Sequence, residues 1–289
     1  MEEDIKSFLD YLAKEKRYSL NTLAAYQSDL VQLADYVRSK APTGDIEFVG
    51  ARLNTELLSG YMHDLKEKRY ALSTVARKVA AAKSFLKYMV DTGKLRGDAV
   101  PNMTSPQVSK PLPKPLSVSE VRRFLSEPAK SFTMESKRDK TMLELLYATG
   151  LRASELMALN VEDVDLKAAK IRCTSRNSRV RFIPIDSHVA QIVKEYLNES
   201  RSRLLNNETE VALFLNRRGE RLTRQGFWQI IQGYANKVGL GHKITPRSLR
   251  HSFTAHKLKS GADIQSVQEF LGHVHISTTR VYKDEKFFS

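Results

Sequence analysis

The chain has 289 residues, 41% hydrophobic and 28% charged, with a formal net charge of +14. That composition excludes a disordered chain and supplies enough apolar residues for a core in each of two domains. The positive excess points to a polyanionic partner, nucleic acid ahead of an anionic membrane surface. No apolar run reaches the roughly 18 residues needed to cross a bilayer, and the acidic start Met1-Glu2-Glu3-Asp4 has the wrong charge for a signal peptide. The lone cysteine, Cys173, excludes an intrachain disulfide and a Cys-ligated zinc. It reads as a small buried hydrophobe in a strand, and a cytoplasmic location is expected.

Ile5, Phe8, Leu9 and Leu12 repeat along one helical face, as do Leu23, Tyr26, Leu30, Leu33 and Val37. Ser19 is placed to cap the second helix, with Thr22 in its first turn. A third helix is predicted through Leu57, Leu58, Tyr61, Met62 and Leu65. A fourth runs through Val75, Val79, Ala82, Leu86 and Met89 and stops at Gly93. Four amphipathic helices with short connections make an all-α bundle over residues 1–96. The fourth carries Arg77, Lys78, Lys83 and Lys87, a basic face for solvent or for DNA phosphates. Pro101, Pro106, Pro111, Pro113 and Pro115 then end the periodicity, and 97–115 reads as a stiff interdomain linker.

Residues 116–289 are mixed. A helix opens near Ser117 and another runs up to Thr149. Two strands lie within 169–185 around the polar turn Ser175-Arg176-Asn177-Ser178. A helix follows Asp186, a short strand is expected at Ala212–Leu215, and helices resume from Thr223. The fold class is two-domain: the four-helix bundle, then a helix-rich α+β domain with a small antiparallel sheet.

There is no phosphate-binding glycine loop and no HExxH, so neither a nucleotide nor a metal cofactor is expected. His273 and His275 lack the companions a metal site needs. Three segments still suit phosphodiester chemistry. In Ala148-Thr149-Gly150-Leu151-Arg152-Ala153-Ser154-Glu155-Leu156, Gly150 can end a helix in a left-handed cap, leaving Arg152 at the turn and Glu155 three residues on to orient it. In Thr245-Pro246-Arg247-Ser248-Leu249-Arg250-His251, Thr245 and Pro246 open a helix whose first turn carries Arg247 and Arg250. Two cations there oppose the helix dipole unless a phosphate sits between them. The third segment is Leu271-Gly272-His273, with Tyr282 further on. Taken singly, these have plain explanations: a surface ion pair, scattered charge, a core histidine and one tyrosine among several.

Taken together, with Leu222-Thr223-Arg224-Gln225-Gly226-Phe227-Trp228 and the stretch from Asn21 to Leu30, they resemble the tyrosine recombinases. The Xer branch is the nearest, and the likeness runs over nearly the whole chain. The resemblance implies a SAM-like core-binding bundle followed by a catalytic domain, and an archaeal member of the branch is expected. By it, Arg152 and Arg250 clamp the scissile phosphate, Glu155 supports Arg152, His273 hydrogen-bonds the phosphate, and Tyr282 is the nucleophile. Arg176 stands where the family has a lysine acid, and Arg247 where it commonly has histidine. Arginine is a poor proton donor, which leaves the identity of the acid open. Arg77, Lys78, Lys83, Arg224 and Gln225 are expected on DNA.

The implied activity is cleavage and rejoining of double-stranded DNA through a 3′-phosphotyrosine and a Holliday junction. The implied partners are a short inverted-repeat site and further copies of the chain, forming a tetramer on two sites. The implied role is resolution of circular chromosome or plasmid dimers. A mobile-element integrase and a non-catalytic DNA-binding protein with the same fold are the alternatives.

Overall fold

The structure is a computed structural model and describes residues 1–40, 55–95, 114–175 and 179–272. Arg176, His273, Tyr282 and most of the expected linker lie outside the described residues. The chain divides into two compact units, Met1–Pro111 and Leu112–Ser289.

The first unit holds α1 (Glu2–Lys14), α2 (Leu20–Lys40), α3 (Thr55–Glu67) and α4 (Leu72–Asp91). Its core follows the apolar periodicity: Ile5, Phe8 and Leu12 meet Leu30, Leu33 and Val37, with Leu58, Tyr61 and Leu65 and then Val75, Val79, Ala82, Phe85 and Leu86. Phe8 and Phe85 meet edge to face at 5.5 Å. Ser19 Oγ accepts the Thr22 N–H at 3.0 Å, the cap its sequence position called for. The basic residues of α4 differ in their exposure. Lys78 is 6% exposed, and its ammonium pairs with Asp29 at 2.8 Å and with Gln32 at 2.5 Å. A buried charge requires a partner, and Asp29 supplies it from α2. Arg77 binds the same carboxylate and the Ala25 carbonyl but stays exposed, and Lys83 is half-buried.

The second unit begins with α5 (Val118–Ser126), opened by a Ser117–Glu120 capping box, and α6 (Met134–Thr149). Next come α7 (Ala153–Ala158) and a three-stranded antiparallel sheet, β1 (Val164–Asp165), β2 (Lys170–Thr174) and β3 (Val180–Pro184). In the β2–β3 register Ile171 faces Ile183 and Cys173 faces Arg181. Asp186 caps α8 (Ser187–Glu195), and α9 (Arg224–Lys237), α10 (Pro246–Lys259) and α11 (Ile264–Leu271) follow. Leu143, Leu146, Leu156, Ile171, Ile183, Phe227, Ile231 and Leu249 share one core.

Two details depart from the sequence expectation. Two-residue β1 is too short to show an alternating pattern. Ala212–Leu215 is no strand but a buried segment held by isolated bridges, Asn160 to Ala212 and Leu215 to Arg221. Arg201 donates to the Ala212 carbonyl at 2.9 and 2.7 Å, occupying the acceptor that a neighbouring strand would use.

Candidate active site

The site grows from four helix ends and one strand. Gly150 closes α6 at φ +60°, its N–H returning to Leu146 O at 2.9 Å. The reversal brings Arg152 to the N-cap of α7, where Glu155 folds back and accepts the Arg152 backbone N–H at 2.8 Å and its Nη1 at 2.9 Å. The sequence spacing predicts this pair. At α10, Thr245 Oγ1 accepts the Ser248 N–H at 3.0 Å and Pro246 occupies the first turn, again as expected. Arg250 leaves that turn, donating to Gly150 O and, at 2.6 Å, to Leu271 O. It also lies 3.8 Å from Glu155 Oε2. Arg152 and Arg250, 98 positions apart in sequence, thus flank one carboxylate.

Glu155 is the electrostatic centre. Its side chain is 5% exposed. Burial pushes its carboxyl upward, but hydrogen bonds from Arg181 and from the Arg152 backbone, with the charges of both guanidiniums, outweigh that and hold it below the ordinary range. Arg152 remains 45% exposed, so its guanidinium presents donors outward while Glu155 fixes it from behind. Cys173, buried in β2, is pushed up to about 11 by burial first and by the Glu155 charge second. It stays a protonated thiol, as a small hydrophobe should.

Other expected residues fall differently. Arg247 is exposed on the first turn of α10 and makes no hydrogen bond with a described residue. Arg224 and Gln225 are exposed at the start of α9, whose Thr223 cap accepts the Gly226 N–H at 3.0 Å. The residue the sequence reading missed is Arg181. Its Nη2 and Nη1 meet the Glu155 oxygens at 2.9 and 3.2 Å. The available signal was alternation: Arg181 shares its strand face with buried Ile183, and an arginine at an inward position requires an anion inside.

The chain belongs to the phage integrase family. The model of that family matches residues 114–287, and the model of the phage integrase N-terminal SAM-like domain matches 5–93. Among its relatives is a protein named tyrosine recombinase XerC from Roseiflexus sp. (strain RS-1), 46% identical over 98% of this chain and 89% of that protein. Another is named tyrosine recombinase XerD, from Oceanobacillus iheyensis, 38% identical over 98% of this chain and 93% of that protein. Of solved structures, a XerH site-specific recombinase bound to a palindromic difH substrate, in a post-cleavage complex, matches with a TM-score of 0.75 at 22% identity. That match covers 95% of this chain and 79% of that one. These Xer relatives are bacterial, which corrects the archaeal expectation. The protein is a tyrosine recombinase with Xer-named homologues. No helix among the described residues is long and apolar enough to cross a membrane.

Proposed function

We propose that this recombinase is a Xer-type enzyme of the cytoplasm that resolves dimers of circular chromosomes or plasmids. It binds double-stranded DNA at a short inverted-repeat site and acts as a tetramer on two sites. The observation that carries the reading is the meeting of Arg152 and Arg250 around the buried Glu155 carboxylate. Guanidinium forks hold phosphate oxygens bidentately and keep their charge at any working pH. The domains are a core-binding unit over 1–96, a linker over 97–115 and a catalytic unit over 116–289.

In the proposed reaction the phenolic oxygen of Tyr282 loses its proton and bonds to phosphorus, while the P–O5′ bond breaks and the leaving oxygen takes up a proton, giving a 3′-phosphotyrosine and a free 5′-hydroxyl. Charge building on the non-bridging oxygens is met by Arg152 and Arg250, with His273 donating a further hydrogen bond. Loss of one such preorganised donor typically removes about 3–4 kcal/mol of transition-state stabilisation. Arg176 stabilises the leaving alkoxide as a cation, and Arg247 binds phosphate without shuttling a proton. The covalent link conserves the phosphodiester, so a different 5′-hydroxyl religates it without ATP. Arg77, Lys83, Arg224 and Gln225 contact the duplex. Affinity then falls with salt at a log–log slope of about −0.9 per phosphate neutralised.

The test is a nicked suicide substrate carrying the cognate site, resolved on a denaturing gel. A protein–DNA adduct that vanishes in Tyr282→Phe is expected. Tight binding with no adduct from the wild type overturns the reading in favour of a binding protein.

A further inference from the structure

We propose that Arg181 is a positioning residue for DNA cleavage, holding Glu155 and the end of α11 in one register. The inference rests on the strand-transfer reading above. From β3, Arg181 makes three bonds to two separate elements. Nη2 and Nη1 take the two Glu155 oxygens at 2.9 and 3.2 Å, and Nε donates to Phe270 O at 2.9 Å. Phe270 is the penultimate residue of α11, and the next carbonyl, Leu271 O, is taken by Arg250. The last carbonyls of a helix lack intrahelical partners and carry its negative pole. Two guanidiniums therefore seat the C-terminus of α11 on successive carbonyls.

The chain then passes directly over Arg181. Gly272 caps α11 at φ +61°, and a Cβ there would stand 3.1 Å from Arg181 Nη1 and 3.2 Å from Cζ. The following residue is His273. Arg181 is only 14% exposed, against 45% for Arg152, so it does not itself meet phosphate. A simple ion pair for Glu155 would not need the bond to Phe270. A rigid guanidinium can hold a carboxylate edge and a carbonyl at fixed spacing, whereas an ammonium cannot reproduce that fork. If Arg181 is lost, Glu155 no longer braces Arg152 from a fixed point, and the C-terminus of α11 at Gly272 shifts relative to the Arg152–Arg250 pair. Misplacement of reacting groups by about 1 Å can slow chemistry on the order of 100-fold.

Full-length Arg181→Lys and Arg181→Gln are compared with the wild type and Tyr282→Phe on the nicked suicide substrate, with adduct formation rate and DNA affinity measured separately. The expected result is adduct formation about 100-fold slower, with affinity within about threefold because Arg181 is too enclosed to contact DNA phosphate. Arg181→Lys, which keeps a cation beside Glu155 and loses only the fork, gives no rescue and decides the matter should Arg181→Gln fail to fold. In a cycle with Glu155→Gln the losses do not multiply, since both residues act through one contact. A folded Arg181→Lys that cleaves at the wild-type rate, or losses that multiply fully, overturns the inference. Absence of adduct from the wild type overturns instead the reading on which it rests.

Discussion

Replacing Gly150 with alanine tests whether the turn that presents Arg152 is as tightly built as its geometry implies. Gly150 sits at φ +60°, where an L-residue costs about 1–2 kcal/mol. A Cβ there would lie 2.5 and 2.7 Å from Phe253 Cδ1 and Cε1 and 3.0 Å from Leu271 Cδ2. Phe253 is 4% exposed and stands edge-on to Tyr147 at 6.4 Å, so it has little room to retreat. Overpacking of that kind adds roughly 1–3 kcal/mol. The total is about 2–5 kcal/mol, which for a unit of this size lowers the melting temperature by roughly 10 °C. The only tryptophan, Trp228, lies on α9 in the same unit, so its fluorescence reports the transition in urea or on heating. Gly239→Ala isolates the backbone contribution: φ is +71° there, but nothing lies within 4 Å of the added carbon. The loss at position 150 should be clearly larger than at 239. Equal losses would refute the steric account, and Phe253 would then be free to repack.

Glu155→Gln should destabilise the second unit by about 3 kcal/mol at neutral pH, because it strips the charge from a buried group shared by guanidiniums. The folded carboxyl is held below its ordinary 4.5, so its stabilisation is complete above that value and is lost as pH falls through the depressed folded value. Urea titrations at neutral and acidic pH should therefore show the wild type converging on the variant under acid; a constant gap counts against the charge argument. Asp29→Asn should cost the first unit about 3–5 kcal/mol by leaving the buried Lys78 ammonium without its carboxylate, beside Gln32 and the Tyr70 ring. Circular dichroism melts measure it, and a loss below about 1 kcal/mol would mean that Lys78 escapes to water. Arg176→Lys should speed suicide-substrate cleavage if proton donation to the leaving oxygen limits the rate; a slower variant would show a site adapted to arginine.

Much of this protein was legible from local signals. Apolar periodicity marked the helices of the first unit, and the caps at Ser19, Ser117, Asp186 and Thr245 marked helix starts. The Gly150–Arg152–Glu155 turn was readable because the bonds that shape it, Gly150 N–H to Leu146 O and Arg152 to Glu155, are local in sequence. Segments lacking such signals were not: two-residue β1 has no period, and Ala212–Leu215 has the composition of a strand but forms only isolated bridges, with Arg201 on the Ala212 carbonyl.

What sequence alone determined, then, was the order of elements, the turns that aim Arg152 and Arg250, and the family those segments resemble. Only the tertiary structure decided which charges lie inside. Lys78 and Arg224 look alike as basic residues on helices, yet one is enclosed by Asp29 from 49 positions away and the other faces solvent. Arg181 gained its role only when Glu155 and the end of α11 closed on it. A buried ion needs an opposite charge brought from elsewhere in the chain, and that proximity is created by packing, not by spacing along the sequence.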